Sequence, residues 1–389
     1  MAVDSIIPYG RQEITESDID SVVEVLRSDF LTQGPSVSMF EQKISNYCQV
    51  NHAVACNSAT SALHLACLSV GLGAGDWLWT SPITFVASAN CALYCGAEVD
   101  FVDIDPVTYN LCPKALEFKL IQAKIVGKLP KVVVPVHLCG QSCDMKAIKR
   151  LAEVYNFKVI EDASHAIGAQ YQGEPVGNCQ YSDITIFSFH PVKIITTGEG
   201  GMAVTNNSDI AQSMSVLRSH GITRDPSKMT HKADGAWYYQ QISLGFNYRM
   251  TDIQAALGAS QLSRLDEYVY RRHQIADRYD QLLSDYTLIT PVMNPDSRSA
   301  YHLYVIQLDD SSIRRAVFDS LRDQGIAVNV HYIPVYLQPY YQEMGLYEEV
   351  SFPHAERYYS KAISLPMYPT MTENQQDQVV KALKKALEL

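Results

Sequence analysis

The chain has 389 residues, enough for about two domains, and its 47% hydrophobic and 19% charged residues describe a globular protein rather than a disordered one. A net charge of −11 argues against nucleic acid, whose binding rests on clustered Lys and Arg, and leaves any anionic ligand dependent on local positive groups. The N-terminus lacks a basic segment leading into an apolar core, and no apolar run approaches the roughly 20 residues of a membrane span, so the expected setting is cytoplasmic.

In chain order, residues 17–28 and 37–48 have amphipathic helical spacing, separated by a loop, Asp29-Phe-Leu-Thr-Gln-Gly-Pro35, marked by its Gly-Pro pair. From about 53 to 205, short apolar runs alternate with helical stretches. The runs are Ala53–Cys56, Trp77–Thr80, Val99–Val102, Lys131–Pro135, Phe157–Ile160, Ile184–Phe187 and Gly201–Val204. Seven candidate strands, most separated by enough chain for a helical crossover, predict a largely parallel α/β sheet with helices on both faces. Ligands of such sheets bind beyond the carboxyl ends of the strands. Residues 251–284 read as long helices. A large unit, 1–265, is expected to be followed by a smaller one, 266–389, with a strand at Tyr301–Ile306, a helix at 312–324, a short strand at Ala327–Val330 and a terminal helix at 372–388. The nine cysteines all precede residue 180. Their closest pairs, Cys91/Cys95 and Cys139/Cys143, have no matching His or Cys cluster to complete a zinc site, so no metal is expected and the thiols read as buried and reduced.

The chemistry concentrates around Ser188-Phe-His-Pro-Val-Lys-Ile-Ile-Thr-Thr-Gly-Glu-Gly-Gly201, where a lone Lys193 follows an apolar strand and precedes small, flexible residues. A lysine carried into a partly dry pocket loses its proton more readily, and the free amine attacks carbonyls. Upstream, Val159-Ile-Glu-Asp-Ala-Ser-His165 ends a second strand with an acid, Asp162. A Schiff-base lysine plus an acid able to pair with a pyridinium nitrogen is what a protein contributes to pyridoxal phosphate chemistry. Asn57-Ser-Ala-Thr-Ser-Ala62 follows a strand and opens an apolar helix: either a phosphate site at a helix N-terminus or simple N-capping by Ser58 or Thr60. Phe85 can stack on a planar ring or serve the core, Asp162 can be a helix cap, and His165 can be a structural histidine. Asn247 and Arg249 are polar groups preceding a capped helix, and being loop residues only is the alternative to a role in a site. The aromatic run from Val330 to Tyr341, with its one His, suits either a base or sugar or the packing of the small domain.

Together these segments resemble the DegT/DnrJ/StrS family of sugar aminotransferases, of the aspartate aminotransferase fold type, from Pro8 to the final helix. The segments Asp29–Pro35, Ser188–Gly201 and His331-Tyr-Ile-Pro334 look closest to a subgroup serving pseudaminic acid biosynthesis. The resemblance implies pyridoxal 5'-phosphate as cofactor, L-glutamate as donor, and amination at C4 of a UDP-linked keto sugar, UDP-2-acetamido-2,6-dideoxy-β-L-arabino-hex-4-ulose. Another epimer, a GDP sugar, or a non-catalytic cofactor-binding regulator are the alternatives. By position, Lys193 is implied as the Schiff-base residue and Asp162 as the partner of the ring nitrogen. His165 falls near the ring hydroxyl, Phe85 on the ring face, and Ala59, Thr60 and Ser188 at the phosphate. Asn247 is implied to reach the phosphate of a second subunit, making the site a property of a homodimer. Tyr9, Asp29, Phe30, Leu31, Thr32, Arg249, His331, Tyr332, Ile333 and Pro334 fall in segments lining the nucleotide-sugar site, with Ala59, Ser188 and Asn247 beside them. A dehydratase branch replaces the lysine with histidine; this chain keeps it.

Overall fold

The computed structural model describes residues 6–345 and 350–388. The seven apolar runs form one sheet: β1 (His52–Cys56), β2 (Trp77–Thr80), β3 (Glu98–Phe101), β4 (Val132–Val134), β5 (Lys158–Asp162), β6 (Ile184–Ser188) and β7 (Gly201–Thr205). Their spatial order is β1-β7-β6-β5-β4-β2-β3, and β7 alone runs antiparallel to its neighbours. The strands β4, β6 and β7 are buried along their whole length, as a sheet covered by helices on both faces requires.

Local chemistry sets where the helices begin and end. The second helix, Pro35–Cys48, starts with Pro at its first turn, where a missing N–H costs nothing, and ends on Gln49 in the left-handed region. The helix Asp252–Leu262 opens on a capping box between Thr251 and Gln254. It is followed by Leu265–Leu283, whose first turns pack Leu265 and Val269 into the cluster of Phe40 and Ile44. Its later turns place Ile275 and Tyr279 in a C-terminal cluster with Ile306, Leu321 and Leu383. That cluster is covered by a three-stranded antiparallel sheet, β8 (Leu288–Ile289), β9 (Tyr304–Leu308) and β10 (Ala362–Leu365), and by helices Arg314–Asp323 and Glu373–Leu387.

Two expectations for this region need correction. The strand expected at Tyr301–Ile306 begins only at Tyr304. Tyr301 has a φ of 46°, and the carbonyls of Tyr301 and His302 accept hydrogen bonds from the buried Arg272 guanidinium at 3.1 and 3.2 Å, so they are lost to the ladder. No strand forms over 327–330, where Asn329 makes a single bridge to Ser364 and the chain turns toward the cavity described below. The partner strand β10 escaped the sequence reading because it follows the helix Pro353–Lys361 with no intervening turn residue to mark its start. Six of the nine cysteines are buried and three, Cys95, Cys112 and Cys139, are partly exposed; all are free thiols.

Candidate active site

A cavity of about 870 Å³ opens beyond the carboxyl ends of β1, β2, β5 and β6. One corner of it is built by strand pairing. At the start of β7, Gly201 pairs with Cys56 of β1 on one side and Ser188 of β6 on the other. A Cβ on Gly201 would lie 2.4 Å from the Ala59 nitrogen, so only glycine lets β7 pass this close under the start of helix Ala59–Ser69. The result brings the first N–H groups of that helix, at Ala59 and Thr60, to the same cavity wall as the Ser188 hydroxyl. Ser58 caps the helix by accepting from the Ser61 N–H at 3.1 Å, so the capping reading applies, and it leaves the Ala59 and Thr60 N–H groups at the cavity wall.

Asp162 ends β5 with its side chain buried in the cavity wall. Its Oδ2 accepts from the Ser88 hydroxyl at 2.5 Å and its Oδ1 from the Ser164 N–H at 3.1 Å. Lys193 lies in the turn between β6 and β7, half-buried, its open side being the cavity. Burial pulls its ammonium down to about 8, and the Asp162 carboxylate offsets part of that fall. Three neutral histidines complete this wall. His165 accepts the Cys139 N–H on Nδ1 at 3.3 Å, which puts its proton on Nε2, 3.2 Å from the Tyr332 hydroxyl. Burial, with Lys193 and His331 nearby, holds His165 well below the ordinary imidazole range. His331 is pushed down to about 4 by burial and Lys193, and its Nδ1 lies 2.8 Å from the Ser364 hydroxyl. His302 faces His165 with ring centroids 4.3 Å apart, and burial likewise disfavours its charge.

The arrangement fits pyridoxal phosphate on observations of this chain alone. A cradle of helix N–H groups and a hydroxyl suits the phosphate, a buried carboxylate suits a ring nitrogen, and a lysine with a lowered pKa suits the aldehyde. Phe85, 59% exposed, borders the cavity and is open to a planar ring rather than spent on the core. Of the residues expected to bind the sugar, Tyr9, Ala59, Ser188, His331 and Tyr332 line the cavity. Ile333 is exposed and Pro334 buried, both outside the lining. Asp29, Phe30, Leu31 and Thr32 are exposed and lie elsewhere on this chain, along the start of helix Asp252–Leu262, where the Leu31 carbonyl accepts the Asp252 N–H at 3.0 Å. Asn247 is exposed, Arg249 bridges Cys56, and neither lines the cavity of its own chain. Sequence reading missed Ser88 and His302. Ser88 carried a usable signal, since it stands one helical turn beyond Thr84 and three residues beyond Phe85. His302 carried none, because its place depends on Arg272 holding the loop.

Residues 12–384 match the DegT/DnrJ/EryC1/StrS aminotransferase family. The spore coat polysaccharide biosynthesis protein SpsC of Bacillus subtilis (strain 168) is 40% identical over 383 residues, 97% of this chain and 96% of that one. A UDP-4-amino-4,6-dideoxy-N-acetyl-beta-L-altrosamine transaminase of Campylobacter jejuni is 38% identical over 370 residues, covering 94% and 93%. The GDP-perosamine synthase of Caulobacter vibrioides is 37% identical over 386 residues, covering 98% of each. Among solved structures, Helicobacter pylori PseC, an aminotransferase of pseudaminic acid biosynthesis, superposes with a TM-score of 0.90 at 31% identity over 99% of this chain and 100% of that one. With a cavity that assembles lysine, acid and phosphate cradle, and a family match spanning nearly its whole length, the chain belongs to the DegT/DnrJ/EryC1/StrS family of pyridoxal-phosphate-dependent sugar aminotransferases.

Proposed function

We propose that this chain moves the amino group of L-glutamate to C4 of UDP-2-acetamido-2,6-dideoxy-β-L-arabino-hex-4-ulose, giving UDP-4-amino-4,6-dideoxy-N-acetyl-β-L-altrosamine and 2-oxoglutarate. The observation that carries the reading is Lys193, lowered to about 8, in one cavity with Asp162. When bound, pyridoxal phosphate supplies the carrier for the amino group and the electron sink for the bond broken at carbon. The chain does the rest. Lys193 offers a free amine from about pH 8 upward, well below an ordinary lysine, and takes or returns a proton at Nζ. Asp162 would hold a positive charge on the ring nitrogen, and the neutral His165, aligned by Cys139 and Tyr332, would offer Nε2–H without adding a second cation.

Lys193 is the only Lys or Arg lining the cavity among the described residues. A nucleotide sugar brings a diphosphate, and a chain of net charge −11 has no general field to hold it. We therefore assign that task to a second copy, whose Asn247, Arg249 and Asp29–Thr32 segment complete the site in a cytoplasmic homodimer. Mixing inactive Lys193→Ala with an inactive Asn247 variant should restore activity, since mixed dimers carry one intact site. Exchange of subunits with no return of activity refutes the sharing.

The choice of sugar rests on likeness to the Campylobacter transaminase, and the near-equal likeness to GDP-perosamine synthase keeps a GDP sugar as the second reading. Remote nucleotide contacts position the keto carbon, so the free sugar should be a poor substrate. Each 4-keto sugar (UDP L-arabino, UDP D-xylo and GDP) is incubated with glutamate and the product read by NMR. Amination at C4 with the L-arabino epimer preferred supports the assignment; amination at C3, or equal use of the GDP sugar, overturns it.

A further inference from the structure

The stretch from the end of β2 into the first turn of the helix Ala87–Tyr94 does two things at once. It presents Phe85 to the cavity, and one turn later it sends Ser88 beneath, to Asp162. The two are tied, because the Ser88 N–H donates to the Phe85 carbonyl at 3.2 Å. Thr84, Ser88 and Asp162 are buried, with exposures of 2%, 0% and 5%, so water does not compete for their hydrogen bonds. A hydroxyl has one proton. Ser88 gives its own to the carboxylate oxygen Oδ2 at 2.5 Å, so the 2.7 Å contact between the Thr84 and Ser88 hydroxyls must be donated by Thr84. The chain of donors therefore runs one way, Thr84 to Ser88 to Asp162, and such chains strengthen each member.

We propose that Ser88, supplied by Thr84, is a positioning residue for Asp162, fixing the carboxylate and leaving the proton it shares with a heteroaromatic ring on the ring nitrogen. The inference rests on the cofactor reading above. A hydrogen bond donated to Oδ2 draws electron density from the carboxylate, so a proton shared between it and a pyridine nitrogen stays on nitrogen. The Ser164 N–H does the same at Oδ1 but cannot replace it, because a single backbone donor leaves the carboxylate free to turn. A protonated ring in turn repels the proton on the nitrogen contributed by Lys193.

The test uses the holoenzyme. Titrating the visible absorbance of the bound cofactor against pH reports the proton on the Lys193 nitrogen, and rapid mixing with glutamate reports the half-reaction. Ser88→Ala should raise the titration midpoint by about one pH unit and slow the half-reaction about tenfold, the scale of a hydrogen bond to a charged group. Thr84→Val, which keeps the Ser88 donor but removes its supply, should move both in the same direction by less. Thermal unfolding of the apoproteins shows whether either variant is merely misfolded; if Ser88→Ala is, Thr84→Val decides alone. Wild-type protein that takes up no pyridoxal phosphate overturns the cofactor reading together with this one. Wild-type protein that takes it up, while a folded variant keeps the wild-type midpoint and rate, overturns the role of Ser88 alone.

Discussion

Glu161 and Asp162 are adjacent on β5, carry the same functional group and are equally buried at 5% exposure, yet they do different work. Side chains alternate across a strand, so the two carboxylates leave the sheet on opposite faces. Glu161 enters a closed polar cluster. Its Oε2 accepts from His137 Nε2 at 2.6 Å, and its Oε1 from Thr185 at 2.9 Å and from Ser182. The Cys143 N–H meets His137 Nδ1 at 3.1 Å while Nε2 faces the glutamate, so both ring nitrogens are engaged and no valence is left for a ligand. Asp162 meets two donors and keeps part of its carboxylate toward a cavity that also holds Lys193. Burial of an acid is thus no guide to function; what separates these two is whether the hydrogen bonds around the group are complete.

The comparison is broken most severely by exchanging losses. Asp162→Asn should keep the fold and retain the cofactor but lose about a hundredfold or more in the glutamate half-reaction, because the charge opposite the ring is gone. Glu161→Ala should do the reverse. It strands the His137 N–H and two hydroxyls, so unfolding in urea should show a loss of about 3 kcal/mol, with little change in rate per folded molecule. Burial pushes the Glu161 carboxyl up, but the hydrogen bonds from His137, Ser182 and Thr185 bring it below the ordinary range. Its contribution to stability is therefore complete above that range and fades as pH falls through the folded value, an acid limb that Glu161→Gln should flatten. Equal effects of Asp162 and Glu161 variants on rate would erase the distinction.

A smaller effect sharpens it. Lys193 is charged at low pH and free above about 8, so capture of added pyridoxal phosphate by the apoprotein should quicken as pH rises through that value and then level off. The Asp162 carboxylate supports the ammonium, so Asp162→Asn should move the midpoint downward, while Glu161→Gln on the opposite face leaves it in place. Stopped-flow absorbance across the pH range checks both. A midpoint that responds to Glu161 and not to Asp162 contradicts the geometry.

The sequence by itself determined the sheet, because apolar runs of β-forming residues spaced by helical chain allow few other arrangements. It also marked Lys193, Asp162 and the Ala59–Thr60 helix start, since Asp162 ends a strand, Ala59 opens a helix and Lys193 lies in the loop just after a strand, and these positions collect on one side of a parallel sheet. Tertiary structure alone decided which of the remaining residues belong to the site. Ser88 becomes part of it through a contact 74 positions away, and His302 through a loop held by Arg272. The same structure takes Asp29–Thr32, Asn247 and Arg249 out of their own chain's cavity. Periodicity records which face of an element is apolar; it carries no information about which distant hydroxyl reaches a carboxylate, because that depends on how two elements pack, to within the length of a hydrogen bond.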